Sequence, residues 1–425
     1  MRAGHTFQVI VGMLAAMSTA ELRPTSQATA VSRDRGDACP GSLRLHAADD
    51  GALARIRLPG GVLTVRQAEA LGEAARLLGD GELHLTSRGN VQLRALRGGC
   101  GSELAALLDA AGLLPSPGHE RVRNIVASPL SGLDGRGLCD VRPWLTALDA
   151  ALCASEAARG LSGRFLFALD DGRGDVAGLG ADVTVRATAD GGALLTPGAV
   201  RVSGEDAPRA ALVAAEAFLD TVAVSGTQAW RIAELALTED DLTRTVHRRL
   251  ADEDIGHRRA PTETTRADGP SPGVVGGAVS VHVPLGRLSA RQWRELTDVA
   301  DGELRLTPWR GVVLPVPGGT AEPLARLCAV GLVTDPASPW PRVGACIGTP
   351  GCARSHADVR ADATRALGVA DTVSLPLYWS GCERRCGHPQ GERIDVIAVP
   401  GGGYRLSADP SHDSHLAAVR AAITP

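Results

Sequence analysis

Four cysteines near the carboxyl end of the chain have a spacing that could hold a metal. Five residues separate Cys346 from Cys352 in a loop rich in glycine and proline, and three residues separate Cys382 from Cys386 in a second loop. Thiolates from two loops can form a tetrahedral sulfur site, which suits zinc or an iron–sulfur cluster. Zinc sites usually use pairs with about two to four intervening residues, whereas a cluster is wider and tolerates looser spacing. The spacing therefore favours an iron–sulfur cluster over zinc, and over unrelated buried thiols.

The other five cysteines are isolated in the sequence, and we interpret them as ordinary core or surface residues: Cys39, Cys100, Cys139, Cys153 and Cys328. Nine scattered cysteines in 425 residues are too sparse for a disulfide scaffold, which predicts a reducing compartment and a cytoplasmic protein. The net charge of -4 gives no reason to expect nucleic acid or a membrane as a partner. The chain has no lysine, so its anion-binding cations are chiefly guanidinium groups, which suit carboxylates.

Residues 1–36 are expected to lie outside the folded domains. We predict that they are unstructured or follow a misassigned start codon, although the apolar run after Arg2 also has features of a short signal peptide.

Two parts of the chain repeat one pattern, because residues 60–93 resemble residues 285–314. Each part opens with a capping box, formed by Thr64 with Gln67 in the first copy and by Ser289 with Gln292 in the second. Each continues as an amphipathic helix, an Asp-Gly turn, a short strand and a loop that contains arginine. Two copies so far apart predict a pseudo-twofold molecule rather than a solenoid.

The duplication also predicts the domain organisation. Each copy leads to a comparable loop, but only the second loop contains cysteines, and a polar stretch rich in glycine and proline separates the halves. The predicted domains are a first half-domain (37–115), a domain without a cluster (116–250), a linker (251–276), a second half-domain (277–335) and a cluster domain (336–425). The fold class is α+β, with the active site in a central cleft.

The cysteine spacing and the duplicated unit together resemble the sirohaem-type nitrite and sulfite reductase superfamily. The resemblance implies that both half-domains are ferredoxin-like and that each is followed by a mixed α/β domain. It also implies a [4Fe–4S] cluster on the four cysteines and basic side chains that bind tetrapyrrole carboxylates. Carried over residue by residue, it implies ligand roles for these residues: Thr86, Arg88, Gln92, Arg123, Asn124 and Arg164. Leu166 stands where the reductases tend to carry another lysine, and Arg310 in the second copy is offset by one residue from the place of Arg88.

The segment "GCERRCGHP" lacks the proline–asparagine sequence of many such reductases and resembles the precorrin-3B synthase family, as do "ACIGTPGC" and the stretch that begins "RGDACPG". This resemblance implies a monooxygenase that uses dioxygen to hydroxylate precorrin-3A and close a lactone. It also implies a non-haem iron and an external electron donor or reductase, ultimately NADH. The catalytic residues and iron ligands are not evident; His388 and His356, the latter expected in a helix, are candidates, although a structural role is favoured.

Two other functions stay open from the sequence. A sirohaem-dependent nitrite or sulfite reductase would use the same four cysteines and would bind sirohaem. A non-enzymatic tetrapyrrole-binding protein would bind metal and ligand without consuming oxygen.

Overall fold

The structure is a computed structural model that describes residues 37, 39–235, 239–261, 268–389, 391–408, 416, 419 and 420. The extension predicted over residues 1–36 lies outside the described residues. The helices in chain order are α1 (Val65–Leu78), α2 (Gly101–Ala110), α3 (Arg142–Ala154), α4 (Ala207–Ser225), α5 (Glu239–Asp252), α6 (Ala290–Val299), α7 (Ala321–Ala329) and α8 (Val359–Arg365).

The strands in chain order are β1 (His46–Ala48), β2 (Gly51–Ile56), β3 (Val62–Thr64), β4 (Leu83–Leu85), β5 (Val91–Leu96), β6 (Ile125–Ala127), β7 (Phe167–Asp170), β8 (Val183–Ala187), β9 (Gly192–Thr196), β10 (Val200–Ser203), β11 (His257–Arg259), β12 (Gly273–Val275), β13 (Ala278–His282), β14 (Arg287–Leu288), β15 (Glu303–Leu306), β16 (Gly311–Pro315), β17 (Val343–Ala345), β18 (Leu377–Ser380), β19 (Ile394–Ala398) and β20 (Tyr404–Ser407).

The helices α1 and α6 begin where their capping boxes predict. Thr64 Oγ1 accepts a hydrogen bond from the amide of Gln67, and the Gln67 side chain accepts one from the amide of Thr64. Ser289 and Gln292 form the same reciprocal pair at the start of α6. These bonds satisfy amides of the first turn that have no partner inside the helix.

The two copies exchange strands. The first sheet has the order β1-β2-β5-β4-β14, and the second has the order β12-β13-β16-β15-β3. Strand β3 precedes α1 but pairs with β15 of the second copy, and β14 precedes α6 but pairs with β4 of the first. Each sheet is therefore completed by a strand from the other half.

A common hydrophobic core joins the two half-domains. Leucine and valine side chains from both sheets belong to one cluster of buried residues. Trp293 of α6 is 2% exposed, and its Nε1 donates a hydrogen bond of 2.7 Å to the carbonyl of Ala68 in α1. A Cβ on Gly72 would lie 2.8 Å from Trp293 Cδ1, so α1 carries glycine where the indole ring approaches.

The region after the first half-domain forms a six-stranded sheet of order β11-β10-β9-β8-β7-β6. Helices α3, α4 and α5 contribute apolar side chains to its core, which includes Phe165, Phe167 and Phe218. The predicted linker supplies a strand at each side of residues 262–267, which lie outside the described residues: β11 pairs with β10, and β12 pairs with β13.

The carboxyl-terminal region forms a four-stranded sheet of order β17-β18-β19-β20. Strands β17, β18 and β19 are parallel, and β20 is antiparallel to β19. Across the described part of the chain, no helix combines the length and apolar character needed to cross a bilayer. The domain boundaries stated above stay predictions.

If the shared core holds the halves together, Trp293→Ala should lower the free energy of unfolding by about 3–5 kcal/mol, because it removes a large buried side chain. The loss would appear as a lower urea midpoint. The control is Leu77→Ala on α1, whose side chain is 41% exposed and whose loss should change stability by about 0.5 kcal/mol or less. Equal midpoints for parent and Trp293→Ala would contradict the shared-core interpretation.

Candidate functional site

Two adjacent parallel strands bring the first and third predicted cluster ligands together. Strand β17 ends at Ala345 beside Trp379 of β18, so Cys346 and Cys382 follow neighbouring carboxyl ends. The amide of Cys346 donates to the carbonyl of Trp379 at 2.9 Å, and the amide of Gly381 donates to Cys346 Sγ at 3.2 Å. The sheet therefore aligns the two cysteine loops (residues 346–352 and 382–386).

The rest of the first loop packs on the second. The amide of Ser355 donates to the carbonyl of Cys352 at 3.0 Å, and the amide of His356 donates to the carbonyl of Gly381 at 2.9 Å. A Cβ on Gly381 would lie only 1.9 Å from Ser355 Oγ. Glycine is required at this position because the two segments approach so closely.

The electrostatics of Cys346 reflect its neighbours. Burial raises the pKa of its thiol, the amides of Gly381 and Gly348 lower it, and the thiols of Cys386 and Cys382 raise it again. Protonation of the thiolates, or their binding to a metal, relieves this repulsion. Within the described residues, no three of the four thiols place their sulfur atoms all within 4.8 Å of one another.

Tyr378 of β18 contacts Cys386, the last of the four predicted cluster ligands. Tyr378 Oη donates a hydrogen bond of 2.6 Å to the carbonyl of Cys386. Arg310 of the second arginine loop lies over the Tyr378 ring at 5.9 Å, and its Nη2 donates to the carbonyl of Gly387 at 3.5 Å. The second copy of the arginine loop therefore contacts residues on either side of the second cysteine loop.

The two candidate histidines have different surroundings. His388 Nε2 lies 2.7 Å from Oδ1 of Asp395 in β19, whose other oxygen accepts from Arg385 Nη1 at 2.6 Å. His356 does not lie in a helix, contrary to the sequence-based expectation. Helix α8 begins only at Val359, because the side chain of Asp358 caps it by accepting from the amide of Ala361.

Threonine organises the arginine loop of each copy. Thr86 Oγ1 accepts hydrogen bonds from the amides of Arg88 at 3.3 Å and Asn90 at 3.1 Å. In the second copy, Thr307 Oγ1 accepts from the amide of Gly311 at 3.0 Å. The bonds to threonine fix both loops at the ends of the central strands.

Arg88 belongs to a group that we call the arginine cluster, formed by Arg55, Arg57, Arg88 and Arg231. Burial, together with the charges of Arg231, Arg57 and Arg55, lowers the pKa of Arg88 to about 10, while Cys39 opposes this shift. Arg57 is 3% exposed, and burial lowers its pKa to about 10 as well. Both guanidinium groups stay charged at neutral pH, since 10 lies far above 7.

The arginine cluster has few anions of its own. Arg57 Nη2 donates to Cys39 Sγ at 3.2 Å and to the carbonyl of Gly163 at 3.4 Å, but its Nε and Nη1 are buried with no hydrogen-bond partner among the residues that the structure describes. Among the described residues, none accepts a hydrogen bond from the side chain of Arg88. Arg231 is neutralised by Asp182, at 2.5 Å. Unpaired buried guanidinium groups are costly and indicate a place for an anionic ligand.

Gln92 and Asn124, two of the predicted ligand-binding residues, connect the loop of Arg88 to neighbouring elements. With its amide oxygen directed at Arg55, Gln92 accepts from Nη2 at 2.5 Å and from Nε at 3.1 Å. Asn90 Nδ2 donates to Asn124 Oδ1 at 2.9 Å, and Asn124 Nδ2 donates to the carbonyl of Phe165 at 3.0 Å. Asn124 therefore links the arginine loop to the six-stranded sheet.

Arg123 and Arg164 have partners elsewhere. The guanidinium of Arg123 donates to both carboxylate oxygens of Asp149 in α3, at 2.7 and 2.6 Å. The exposed Arg164 lies over the Trp230 ring at 5.3 Å. Leu166 is 4% exposed and packs in a small apolar cluster.

Sequence reasoning missed three members of the arginine cluster and the thiol beside them. Arg55 and Arg57 alternate along β2 and its end, a spacing that places both on one face of a sheet. That alternation was an available signal. Cys39 was interpreted as ordinary, although its Sγ lies 3.5 Å from Arg55 Nη1, and no local pattern links it or Arg231 to this face.

Comparison with known proteins agrees with this architecture. Residues 46–111 and 274–329 match the family described as the nitrite/sulfite reductase ferredoxin-like half domain. The structure of Mycobacterium tuberculosis NirA protein has a TM-score of 0.63 at 18% identity, covering 84% of this chain and 73% of that chain. The chain therefore has the nitrite/sulfite reductase fold with two ferredoxin-like half-domains, which confirms the predicted fold class.

Two curated relatives have different activities. A protein named ferredoxin–nitrite reductase from Synechococcus elongatus is 28% identical over 427 residues, covering 86% of this chain and 81% of the relative. A protein named precorrin-3B synthase from a Sinorhizobium species is 26% identical over 403 residues, covering 91% of this chain and 86% of the relative. Both relatives are enzymes, and both align over most of the chain.

The contacts of the two arginines predict opposite effects on stability. Arg123→Ala should lower the free energy of unfolding by about 1–3 kcal/mol, because Asp149 loses both hydrogen bonds. Arg88→Ala should leave stability unchanged or raise it, because it removes a desolvated cation without a partner. Urea denaturation of the two variants measures the difference. A larger loss for Arg88→Ala than for Arg123→Ala would show that Arg88 is structural.

Proposed function

We propose that the protein is a precorrin-3B synthase, which uses dioxygen to hydroxylate precorrin-3A and form a lactone. The observation that carries the tetrapyrrole part of this proposal is the arginine cluster. Arg57 and Arg88 supply guanidinium nitrogens that lack partners in the described part of the chain. Guanidinium groups form paired, charge-assisted hydrogen bonds with carboxylates, and a tetrapyrrole substrate of this class is a polycarboxylate.

In this proposal the arginine cluster binds and orients the macrocycle. Thr86 holds the loop that carries Arg88, and Gln92 holds Arg55, so the cations are fixed before the ligand arrives. Preorganised cations reduce the ordering cost of binding. Arg164 is exposed beside Trp230, where it can reach a further carboxylate, and Asn124 supports the loop from the six-stranded sheet. Arg123, which was also expected to bind substrate, is assigned a supporting role because Asp149 holds it.

The cysteine loops fit a [4Fe–4S] cluster. Cys346, Cys352, Cys382 and Cys386 come from two loops held together by backbone hydrogen bonds, and the amide of Gly381 is directed at the sulfur of Cys346. Such amide–sulfur bonds are among the features that tune cluster potentials. When bound, a cluster supplies one-electron transfer, for which we propose an external reductase that ultimately uses NADH.

Two features favour the synthase over a reductase. Leu166 is buried among apolar side chains, so this position offers no cation to a small inorganic anion such as nitrite or sulfite. The segment Gly381–Pro389 resembles the corresponding segment of the synthase family.

The second candidate is a sirohaem-dependent nitrite or sulfite reductase. It is favoured by the nitrite reductase of Synechococcus elongatus, whose identity to this chain is similar. The four cysteines and the arginine cluster serve both functions. The absorption spectrum distinguishes them, because sirohaem has intense visible bands whereas a cluster alone has a broad brown shoulder.

The cluster assignment predicts about four irons and four acid-labile sulfides per chain, beyond any mononuclear iron, in anaerobically purified protein. Replacing any one of the four loop cysteines by serine should remove the brown absorption. The control is Cys139→Ser: burial raises the pKa of the Cys139 thiol to about 11, which leaves it protonated. Stoichiometric zinc without labile sulfide would contradict the cluster.

The reaction itself is tested with labelled dioxygen. Supplied with precorrin-3A, an electron source and ¹⁸O₂, the protein should form a hydroxy-lactone whose new hydroxyl oxygen carries the label, as mass spectrometry can show. A monooxygenase places one oxygen atom in the substrate and reduces the other to water. Label from water only, or nitrite or sulfite turnover with native sirohaem, would replace this proposal by the reductase.

A further inference from the structure

The two copies of the repeat differ at one informative position. The segment Asp80-Gly-Glu-Leu-His84 in the first copy matches Asp301-Gly-Glu-Leu-Arg305 in the second. In the second copy, Arg305 is 2% exposed, and its Nε donates to Glu303 Oε1 at 2.8 Å. The strand β15 thus supplies the cation that neutralises its own carboxylate.

The first copy has no such cation on its own strand. His84 of β4 is 5% exposed, and its Nε2 is buried without a hydrogen-bond partner in the described part of the chain. This nitrogen lies 3.9 Å from Glu82 Oε2, and ligand atoms of Asp80, Glu82 and His84 all lie within 4.8 Å of one another. An imidazole with an unpaired nitrogen and two carboxylates, with donor atoms this close together, are a common beginning of a metal site.

We propose that Asp80, Glu82 and His84 bind a divalent first-row transition metal ion. One imidazole nitrogen with two carboxylates is a donor set that suits iron(II), manganese(II) or zinc(II). The three residues line an open cleft of about 770 Å³, which gives the ion access and room for water ligands. The proposed site is argued from the positions of these three side chains alone. Only the choice of iron(II) as the natural ion rests on the proposed function.

The position of the site relates it to both other sites. Across the first sheet, Arg287 pairs with His84, His84 with Gln92, and Gln92 with Arg55. Directly paired residues point to the same face, so His84 shares a face with Arg55 of the arginine cluster, two strands or roughly 10 Å away. On its other side, Arg360 Nη1 lies 3.4 Å from His84 Nδ1, and its Nε donates to the carbonyl of Cys346. The proposed metal therefore lies between the arginine cluster and the cysteine loops.

Two neighbouring arginines compete with a metal ion. Arg287 donates to both oxygens of Glu82, at 2.5 Å each. The contact from Arg360 requires Nδ1 to accept, whereas binding of a metal at Nε2 requires the proton to be on Nδ1. At 3.4 Å this contact is long for a hydrogen bond, and the metal displaces it. Removal of the Arg360 charge should therefore strengthen metal binding.

The test is a titration of the anaerobically purified, oxidised protein with Mn²⁺, in which the electron paramagnetic resonance signal of free Mn²⁺ falls as the ion binds. The parent should bind one equivalent. His84→Arg, which recreates the second copy, should lose it while the cluster absorption and circular dichroism stay unchanged. Arg360→Gln should bind Mn²⁺ more tightly than the parent.

His282→Gln is the matched control, because His282 is 7% exposed with an unpaired Nε2 but belongs to no group of metal-binding side chains in the described residues. This variant should bind like the parent. Absence of Mn²⁺ binding by the parent, or binding that persists in His84→Arg, would overturn the metal site. A bound ion in a protein that yields no oxygenated product would overturn the proposed function and leave the site in place.

Discussion

The exchange of strands between the two half-domains is the constraint on which the rest of the structure depends. Strand β3 pairs with β15, and β14 pairs with β4, so neither five-stranded sheet is complete without the other half of the chain. The hydrogen bond from Trp293 to Ala68 lies in the core that both sheets share. Because burial of this common core removes a large apolar surface from water, the two halves fold as one unit.

The first sheet of this unit carries Arg55 of the arginine cluster and His84 of the proposed metal site. The arginine loop follows β4, and the row formed by Arg287, His84, Gln92 and Arg55 crosses one face of the first sheet. Asn124, next to the six-stranded sheet, accepts a hydrogen bond from Asn90 of the arginine loop. Arg360 of α8 donates one to the carbonyl of Cys346 in the first cysteine loop. Of this row, Arg287 and His84 line the open cleft, where polar side chains cost less than they would in an apolar core.

The duplication is symmetric in backbone and asymmetric in chemistry. Thr86 and Thr307 organise equivalent loops, but Arg88 belongs to the arginine cluster whereas Arg310 contacts residues on either side of the second cysteine loop. Arg305 donates to Glu303 of the same strand and to the carbonyls of Pro129 and Ser131. His84, at the equivalent position of the first copy, lines an open cleft. In each pair, one residue is held by contacts within the protein, and the other is the one for which we propose a ligand.

Local sequence patterns were sufficient to predict the repeat, the capped helices and the two loops that each contain two cysteines. Capping boxes, apolar periodicity and short spacings all involve neighbouring residues. The resemblance of these motifs to a known superfamily gave the fold class. The tertiary structure alone decided that the halves exchange strands, that Arg57 and Arg231 join Arg88, and that Asp149 holds Arg123. These contacts join residues far apart in the chain, and no local propensity or spacing encodes them. Only the packing of the sheets determines which charges meet and which are left without a partner.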